Sequence, residues 1–342
     1  MKPVRFIVSL VVSAAVVGIA VSGEKGETTG PRLRPKTPAA ERLVFATFAE
    51  DAASLEHALY LAESLRTFGG GLREAPVRIY APKDLLEAQP AIAGRIAALR
   101  ADLRTSAAPE DALPYPFARK VFAAAQAESD EKGRAAILAW MDEDTIILEE
   151  PRDFLLPEGF ALGYRPVMHR RIGSRFGDPP DPFWSRVYEK LSVPESAIFP
   201  VVTPADGEKV RAYFNAGLLV VRPERGILRR WARDFPRLYR DPVFAEWCRQ
   251  DRLKLIFLHQ AALAGTILSG LKRQEMVDLG PRYNFPLFFK EMFGARREFD
   301  SIAGVTTLRY DIYFQNAATD WAERLKGPPE KIAWLKARLG RK

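Results

Sequence analysis

Short apolar runs alternate with amphipathic stretches along the first half of the chain, starting near residue 42. The apolar runs predict strands at 43–48 (LVFATF), 77–81 (VRIYA) and 135–142 (AAILAWMD). Apolar residues at helical spacing predict helices from about Ser54 to Gly69 and at 83–88, 92–103 and 117–129. Strands that alternate with helices in this way indicate a mostly parallel sheet covered by helices on both faces.

The second half of the chain continues the alternation with more irregular sequence. The pattern predicts strands at 160–166 and 213–223, a short strand near 275–279 and a possible edge strand at 306–311. It predicts helices at 226–239 and 255–268, whereas 168–212 is rich in loop-forming residues. Because neither a repeat nor a boundary interrupts 42–342, we expect a single domain there.

The N-terminus has the composition of a targeting segment. Lys2 and Arg5 precede an uncharged apolar run of 18 residues at 6–23. This order is typical of a signal peptide or an N-terminal membrane anchor, and the sequence leaves both forms open. Residues 24–41 are rich in Pro, Gly, Thr and charge and are expected to form a flexible linker. Either form places the domain outside the cytoplasm, anchored or exported, in a periplasm or, in a eukaryote, a Golgi lumen.

The composition restricts the chemistry available to the 342-residue chain. Its formal charge of +8 is scattered and accompanies no nucleic-acid-binding motif, so no nucleic-acid partner is expected. A single cysteine, Cys248, excludes an intramolecular disulfide and a thiolate zinc site. With only three histidines, carboxylates are the expected ligands of any metal ion.

The most informative stretch is ILAWMDEDTIIL at 137–148, in which two apolar runs frame an acidic triplet. Asp142 and Asp144 point the same way if the backbone between them is extended. At the end of a parallel strand they face the crevice where α/β folds bind ligands. Two such carboxylates suit Mg²⁺ or Mn²⁺, which in turn bridges a diphosphate. The alternative is an acidic turn between two strands.

This stretch resembles the WMDxDT segment of retaining GT-A glycosyltransferases of the glycogenin and bacterial galactosyltransferase group. Three further segments resemble the same family in order and spacing: the first strand VFATFAED, the helix at 117–129 with its basic residues, and YFNAGLLVVRP at 213–223. The resemblance covers about residues 42–285. It implies a GT-A (Rossmann-like) three-layer α/β/α fold with a mostly parallel mixed central sheet.

The resemblance also implies roles for individual residues. Asp142 and Asp144 bind the metal ion, and Asp142 also contacts the nucleotide-sugar. The remaining donor-site residues line the nucleotide, neutralise phosphate or shape the sugar pocket; they are Ala46, Thr47, Phe48, Arg119, Lys120, Asn215 and Gly217. The implied donor is a UDP- or GDP-sugar, and the implied cofactor is Mn²⁺ or Mg²⁺.

Two positions depart from the family pattern. Where the family has an Asp-Gln pair with its carboxylate near the reacting sugar, this chain has His259 and Gln260. These two residues, with Asn215, are the candidate catalytic residues; the alternative for His259 is a structural histidine on a helix face. The family often completes its metal shell with a late histidine, but this chain has none after His259. Asp311 is a candidate substitute ligand.

The sequence therefore predicts a metal-dependent glycosyltransferase that moves a sugar from a nucleotide-diphosphate donor to a glycan, lipid or protein acceptor. The alternative is a catalytically silent GT-A-like module that binds a glycan or a partner. A nucleotidyltransferase is disfavoured because FATFAEDAAS has no glycine-rich phosphate loop. The arginine-rich loop at 168–177 either holds an anionic acceptor or is a solvated loop, and Phe183 and Trp184 either stack on a sugar or pin that loop to the core.

Overall fold

A computed structural model of the chain describes residues 42–287, 301–310 and 321–339, which belong to one compact unit, Thr37–Lys342. The strands in the described residues are β1 (Leu43–Phe48), β2 (Val77–Ala81), β3 (Ala101–Thr105), β4 (Ile137–Met141), β5 (Thr145–Ile147), β6 (Leu162–Pro166), β7 (Pro200–Val202), β8 (Lys209–Arg211), β9 (Phe214–Val221), β10 (Met276–Asp278), β11 (Phe285–Pro286) and β12 (Thr307–Arg309). The helices are α1 (Ala52–Phe68), α2 (Lys83–Ala88), α3 (Pro90–Ala98), α4 (Ala118–Glu131), α5 (Pro182–Lys190), α6 (Ile227–Tyr239), α7 (Pro242–Gln250), α8 (Arg252–Gly270), α9 (Trp321–Arg324) and α10 (Pro329–Leu339).

The central sheet has seven strands in the order β10-β6-β9-β4-β1-β2-β3. β9 runs antiparallel to both of its neighbours, and the other pairs are parallel. Consequently the amino end of β9 lies at the same edge of the sheet as the carboxyl ends of β4 and β1. This is the edge at which α/β folds bind ligands.

Helices cover both faces of this sheet. Along β1, Val44 packs with α4, α6 and α8 on one face, while Phe45 packs with α1 and α3 on the other. The central strands β1 and β4 are almost entirely apolar because both of their faces are buried. The predicted three-layer α/β/α fold with a mostly parallel mixed sheet is confirmed.

A second, smaller sheet has the order β11-β12-β5. The possible edge strand predicted at 306–311 is therefore wrong in its placement, because β12 lies between β11 and β5. Pairing of β12 with β5 brings a late segment of the chain back to the acidic turn, since Arg309 is opposite Thr145.

Two predicted elements differ from the structure. The helix expected at 92–103 ends at Ala98, and β3 follows it. Arg100 adopts a left-handed backbone conformation with φ 53°, which ends the helix and redirects the chain into the sheet. The loop-rich region 168–212 contains α5 and the β7–β8 hairpin.

Within the described residues, only α8 is long and apolar enough to cross a membrane by length and composition. Most of its second half is buried against the rest of the domain, which is typical of a core helix. The N-terminal segment 1–23 and the linker 24–41 lie outside the described residues, so the predicted signal peptide or anchor remains a prediction.

Candidate active site

The acidic triplet forms the turn that joins β4 to β5. Asp142 and Asp144 are both buried, with exposed fractions of 5% and 6%. The Asp142 N–H donates to the Gly217 carbonyl oxygen at 2.9 Å, which ties the turn to β9. Burial, followed by the charges of Asp144 and Asp142, raises the pKa of Glu143 to about 8. The two predicted aspartates thus lie together at the ligand-binding edge of the sheet.

Two cationic side chains neutralise these aspartates. Lys120 Nζ lies 2.5 Å from Asp142 Oδ1, and Arg309 Nη2 lies 2.8 Å from Asp142 Oδ2. Arg309 Nε is 3.2 Å from each carboxylate oxygen of Asp144. Burial alone raises the pKa of Asp142, but Arg309 and Lys120 outweigh it and hold that pKa below its ordinary value. Asp142 is therefore ionised at neutral pH.

The start of β9 packs directly on this ion-pair cluster. Asn215 Oδ1 accepts from the Gly217 N–H at 2.8 Å, so the asparagine side chain is fixed by its own strand. A Cβ atom on Gly217 would lie 2.5 Å from Asp142 Oδ2 and 2.6 Å from Arg309 Nη1. Glycine is required here because β9 approaches the charged side chains too closely for any larger residue.

Helix α8 packs beside the ion-pair cluster and contacts the start of α4. His259 is buried, and its ring centroid is 4.7 Å from that of Phe117. Its Nδ1 carries the proton because it bonds the Ile256 carbonyl oxygen at 2.9 Å, and a carbonyl can only accept. Burial, and then Lys120, lowers the pKa of His259 to about 3, so the imidazole is neutral at pH 7. Gln260 Oε1 accepts from the Ala216 N–H at 3.2 Å.

The three residues predicted on β1 contribute differently. Ala46, Thr47 and Phe48 are all buried, and their predicted contact with the nucleotide remains a prediction. Beyond the strand, Arg119 on α4 pairs with Glu50 at 3.5 Å. Because Glu50 follows β1 and β1 pairs directly with β4, Arg119 lies near the same edge of the sheet as the acidic turn.

Sequence reasoning missed two residues of the cluster. Arg309 is the one charged residue of β12, in the otherwise neutral strand TLR, and that isolated charge was the only local signal. Phe117 caps α4 in a left-handed conformation with φ 64° and is 44% exposed. Its ring also lies 5.4 Å from Lys120 Nζ. A strained, exposed aromatic residue beside buried charges is typical of a binding site.

The residues around the aspartates do not fit a divalent cation in this arrangement. Each carboxylate oxygen of Asp142 and Asp144 already lies against Lys120 or Arg309. No group of three or more His, Cys, Asp and Glu side chains that could hold a metal ion occurs in the described part of the chain. Asp311, the substitute ligand expected from the sequence, lies outside those residues.

The arginine-rich loop at 168–177 is anchored to the core. Trp184 Nε1 donates to the Ile172 carbonyl oxygen at 2.5 Å, and both Phe183 and Trp184 are buried. Trp184 therefore pins the loop, while Phe183 packs beside it against the Trp184 ring. Beside it lies a groove of about 360 Å³, whose lining includes Arg170, Lys254 and Trp247. A larger cavity of about 710 Å³ at the carboxyl end of α8 includes none of the predicted site residues.

The fold and the acidic cluster define an α/β protein with two buried aspartates and two cationic side chains at the edge of its central sheet. A family model described as the Rhodobacterales glycosyltransferase domain matches residues 47–269. This match spans well over half of the chain, and the protein therefore belongs to that glycosyltransferase family. The predicted relation to glycosyltransferases is confirmed, and the protein is an enzyme of that type.

Similar solved structures include the galactosyltransferase LgtC in complex with donor and acceptor sugar analogs, at 16% identity and a TM-score of 0.46 over 87% of this chain and 97% of that one. Mouse xyloside xylosyltransferase 1 matches at 12% identity and a TM-score of 0.43 over 80% of this chain and 98% of that one. The glycosyltransferase GlyE of Streptococcus pneumoniae TIGR4 matches at 13% identity and a TM-score of 0.43 over 87% of this chain and 64% of that one. No curated protein sequence matches the chain.

Proposed function

We propose that the protein transfers a hexose from a UDP- or GDP-sugar to a hydroxyl group of a glycan, lipid or protein acceptor, at the cluster around Asp142. The observation that carries the proposal is the meeting of β4, β9, α4, α8 and β12 around two buried aspartates and their two cations. Such a cluster supports the binding of a diphosphate, which long cationic side chains neutralise.

The reaction breaks the bond between the anomeric carbon and the donor phosphate oxygen. The acceptor oxygen forms a bond to the same carbon, its proton leaves to solvent or a base, and the nucleoside diphosphate departs with the bonding electron pair. Negative charge therefore grows on the diphosphate as the bond breaks. Lys120 and Arg309 are rigidly held positive charges at the site, and preorganised charges of this kind stabilise such a transition state.

The acceptor side of the proposal rests on the groove next to the 168–177 loop. Its lining carries three cationic side chains and two carboxylates, so positive charge is in slight excess, and Trp247 offers an aromatic face. This combination supports an acceptor that carries both a sugar ring and a negative charge. Trp184, which bonds the loop at Ile172, also packs on Tyr213, with 5.1 Å between the two ring centroids. The loop therefore lies next to the start of β9.

The N-terminal segment is proposed to tether the domain to a membrane or to direct its export. Its basic start and its apolar run of 18 residues support this proposal.

The test is nucleotide release from a panel of UDP- and GDP-sugars by the full-length protein, in EDTA and in Mn²⁺, together with calorimetric titration of UDP and GDP. We expect at least one donor to be hydrolysed or transferred, and Asp142→Asn to abolish both nucleotide binding and turnover. Turnover of no donor in either condition would contradict the proposal and favour the silent binding module.

Asp241→Asn is the matched control. Asp241 is as buried as Asp142 and also lies between an arginine and a lysine, with Arg186 at 2.8 Å and Lys190 at 2.7 Å. It joins α6 to α7, away from the acidic turn. Asp241→Asn should therefore lower stability as Asp142→Asn does but leave nucleotide binding intact. Equal loss of binding in both variants would assign the effect to misfolding.

A further inference from the structure

The guanidinium group of Arg309 lies between the two aspartates. It is 2.8 Å from Asp142 and 3.2 Å from Asp144, while Lys120 pairs with the remaining oxygen of Asp142 at 2.5 Å. Among the described residues, the two carboxylates thus face two cationic side chains. A single divalent cation would supply the same charge at the same place.

Backbone pairing fixes Arg309 in this position. β12 pairs antiparallel with β5, so Arg309 lies opposite Thr145, the residue after Asp144. The next residue, Tyr310, donates its N–H to the Asp144 carbonyl oxygen at 3.1 Å. The absence of a side chain at Gly217 leaves the space that the guanidinium group occupies. Three separate features of the chain therefore place one arginine between the aspartates.

The chemistry of arginine makes this arrangement persistent. A guanidinium group stays protonated in proteins, and its planar fork suits both carboxylates and phosphates. A metal ion could enter only by displacing Arg309 or Lys120 from carboxylates that are almost fully buried, which leaves a cation without its partner in a poorly solvated position. The charges that would attract a cation are already neutralised.

We infer that Arg309, together with Lys120, takes the place of a divalent cation in this chain, so that the enzyme binds the nucleoside diphosphate of its donor without a metal ion. The inference rests on the proposed function, because it concerns the same donor site. Arg309 acts as a fixed positive charge next to the diphosphate, and Asp142 and Asp144 hold Arg309 rather than a metal ion.

The first experiment measures Mn²⁺ uptake by the full-length protein without nucleotide. The electron paramagnetic resonance signal of free Mn²⁺ is the readout. The wild-type protein should show no stoichiometric Mn²⁺ site, because its aspartates are occupied. Arg309→Ala removes the guanidinium group from Asp144 and from Asp142 Oδ2, although Lys120 still pairs with Asp142 Oδ1. The variant should bind Mn²⁺ at least about tenfold more tightly than the wild type, because Arg309 no longer competes for these hard carboxylate oxygens. Stoichiometric Mn²⁺ binding by the wild type would overturn the inference.

The second measurement is calorimetric titration of UDP and GDP in EDTA and in Mn²⁺. Wild-type affinity should be the same in both within about twofold. Arg309→Ala should lose about 10- to 100-fold in EDTA, the range of one charge-assisted contact, and regain part of it in Mn²⁺. Binding by the wild type only in Mn²⁺ overturns the inference but leaves the proposed function standing. Binding in neither condition rejects the proposed donor site and the inference with it.

Two further variants guard against misfolding. Arg309→Lys keeps a positive charge on a shorter group and should retain EDTA-resistant binding. Arg78→Ala is the matched control, because Arg78 also bridges two carboxylates, Asp102 and Glu131, and its side chain is 18% exposed compared with 22% for Arg309. Glu131 ends α4, eleven residues beyond Lys120, so Arg78→Ala should leave both Mn²⁺ uptake and nucleotide affinity at wild-type values.

Discussion

Gly217→Ala tests whether the close approach of β9 to the charged cluster matters for donor binding. The added Cβ would lie 2.5 Å from Asp142 Oδ2 and 2.6 Å from Arg309 Nη1, whereas ordinary contacts begin at 3.4 Å. Either the strand or the ion pair must therefore move by about 1 Å. Overpacking of this kind costs about 1–3 kcal/mol of unfolding free energy. Displacement of Asp142 from Arg309 should also weaken UDP or GDP binding at least about tenfold, or about 1.4 kcal/mol.

The matched control is Gly163→Ala on the neighbouring strand β6. Its added Cβ would meet only apolar atoms, with Leu279 at 3.0 Å, Leu156 at 3.1 Å and Val220 at 3.3 Å. Urea unfolding followed by circular dichroism gives the stability of both variants, and calorimetric titration gives their nucleotide affinity. Both variants should lose stability, but only Gly217→Ala should lose affinity. The reasoning is refuted if Gly217→Ala binds nucleotide as the wild type does, or if Gly163→Ala weakens binding equally.

Three further predictions concern buried ionisable groups. Lys120→Met leaves buried Asp142 with one cation fewer and should cost about 3–5 kcal/mol of unfolding free energy. In urea unfolding, the double variant Lys120→Met/Asp142→Leu should recover most of this stability, but it should not recover nucleotide binding. A double variant that is no more stable than Lys120→Met would argue against a stabilising ion pair between Lys120 and Asp142. Because the pKa of His259 is about 3 in the folded protein and near 6.5 when unfolded, the unfolded state takes up a proton first, and stability is lost as pH falls from about 6.5 towards 3. At pH 5 this loss is about 2 kcal/mol, so His259→Leu should show a shallower decline of stability with falling pH, and parallel curves would reject the assignment. Burial raises the pKa of the Cys248 thiol to about 11. At pH 8 the native protein should therefore react with a chromogenic disulfide reagent far more slowly than the protein in urea. A rapid reaction of the native protein would show that the thiol is accessible.

The sequence by itself determined the layered architecture and the position of the acidic pair. Continuous apolar runs such as 43–48 and 135–142 require burial on both faces, and the helices between them supply that burial. A strand that ends in Asp142 places its carboxylate at the ligand-binding edge whatever its neighbours are. The FNAG segment could also be located, because Gly217 and Asn215 stand in a recognisable run.

Local patterns failed where the outcome depended on neighbours in space. The helix predicted at 92–103 stops at Ala98 because the left-handed Arg100 turns the chain into β3 beside β2, and helical spacing alone did not reveal that turn. His259 could be matched to a family position, but its contact with Phe117 and its neutral state follow from burial between two helices.

Only the tertiary structure determines that Arg309 is the cation beside Asp142 and Asp144. Arg309 and Asp144 are 165 positions apart along the chain, and only the pairing of β12 with β5 brings them together. Sequence periodicity reports which face of an element is buried, but it carries no information on which distant element will pack there. The paired carboxylates therefore predicted a metal site at Asp142 and Asp144, and only the folded chain shows that Arg309 lies beside both of them.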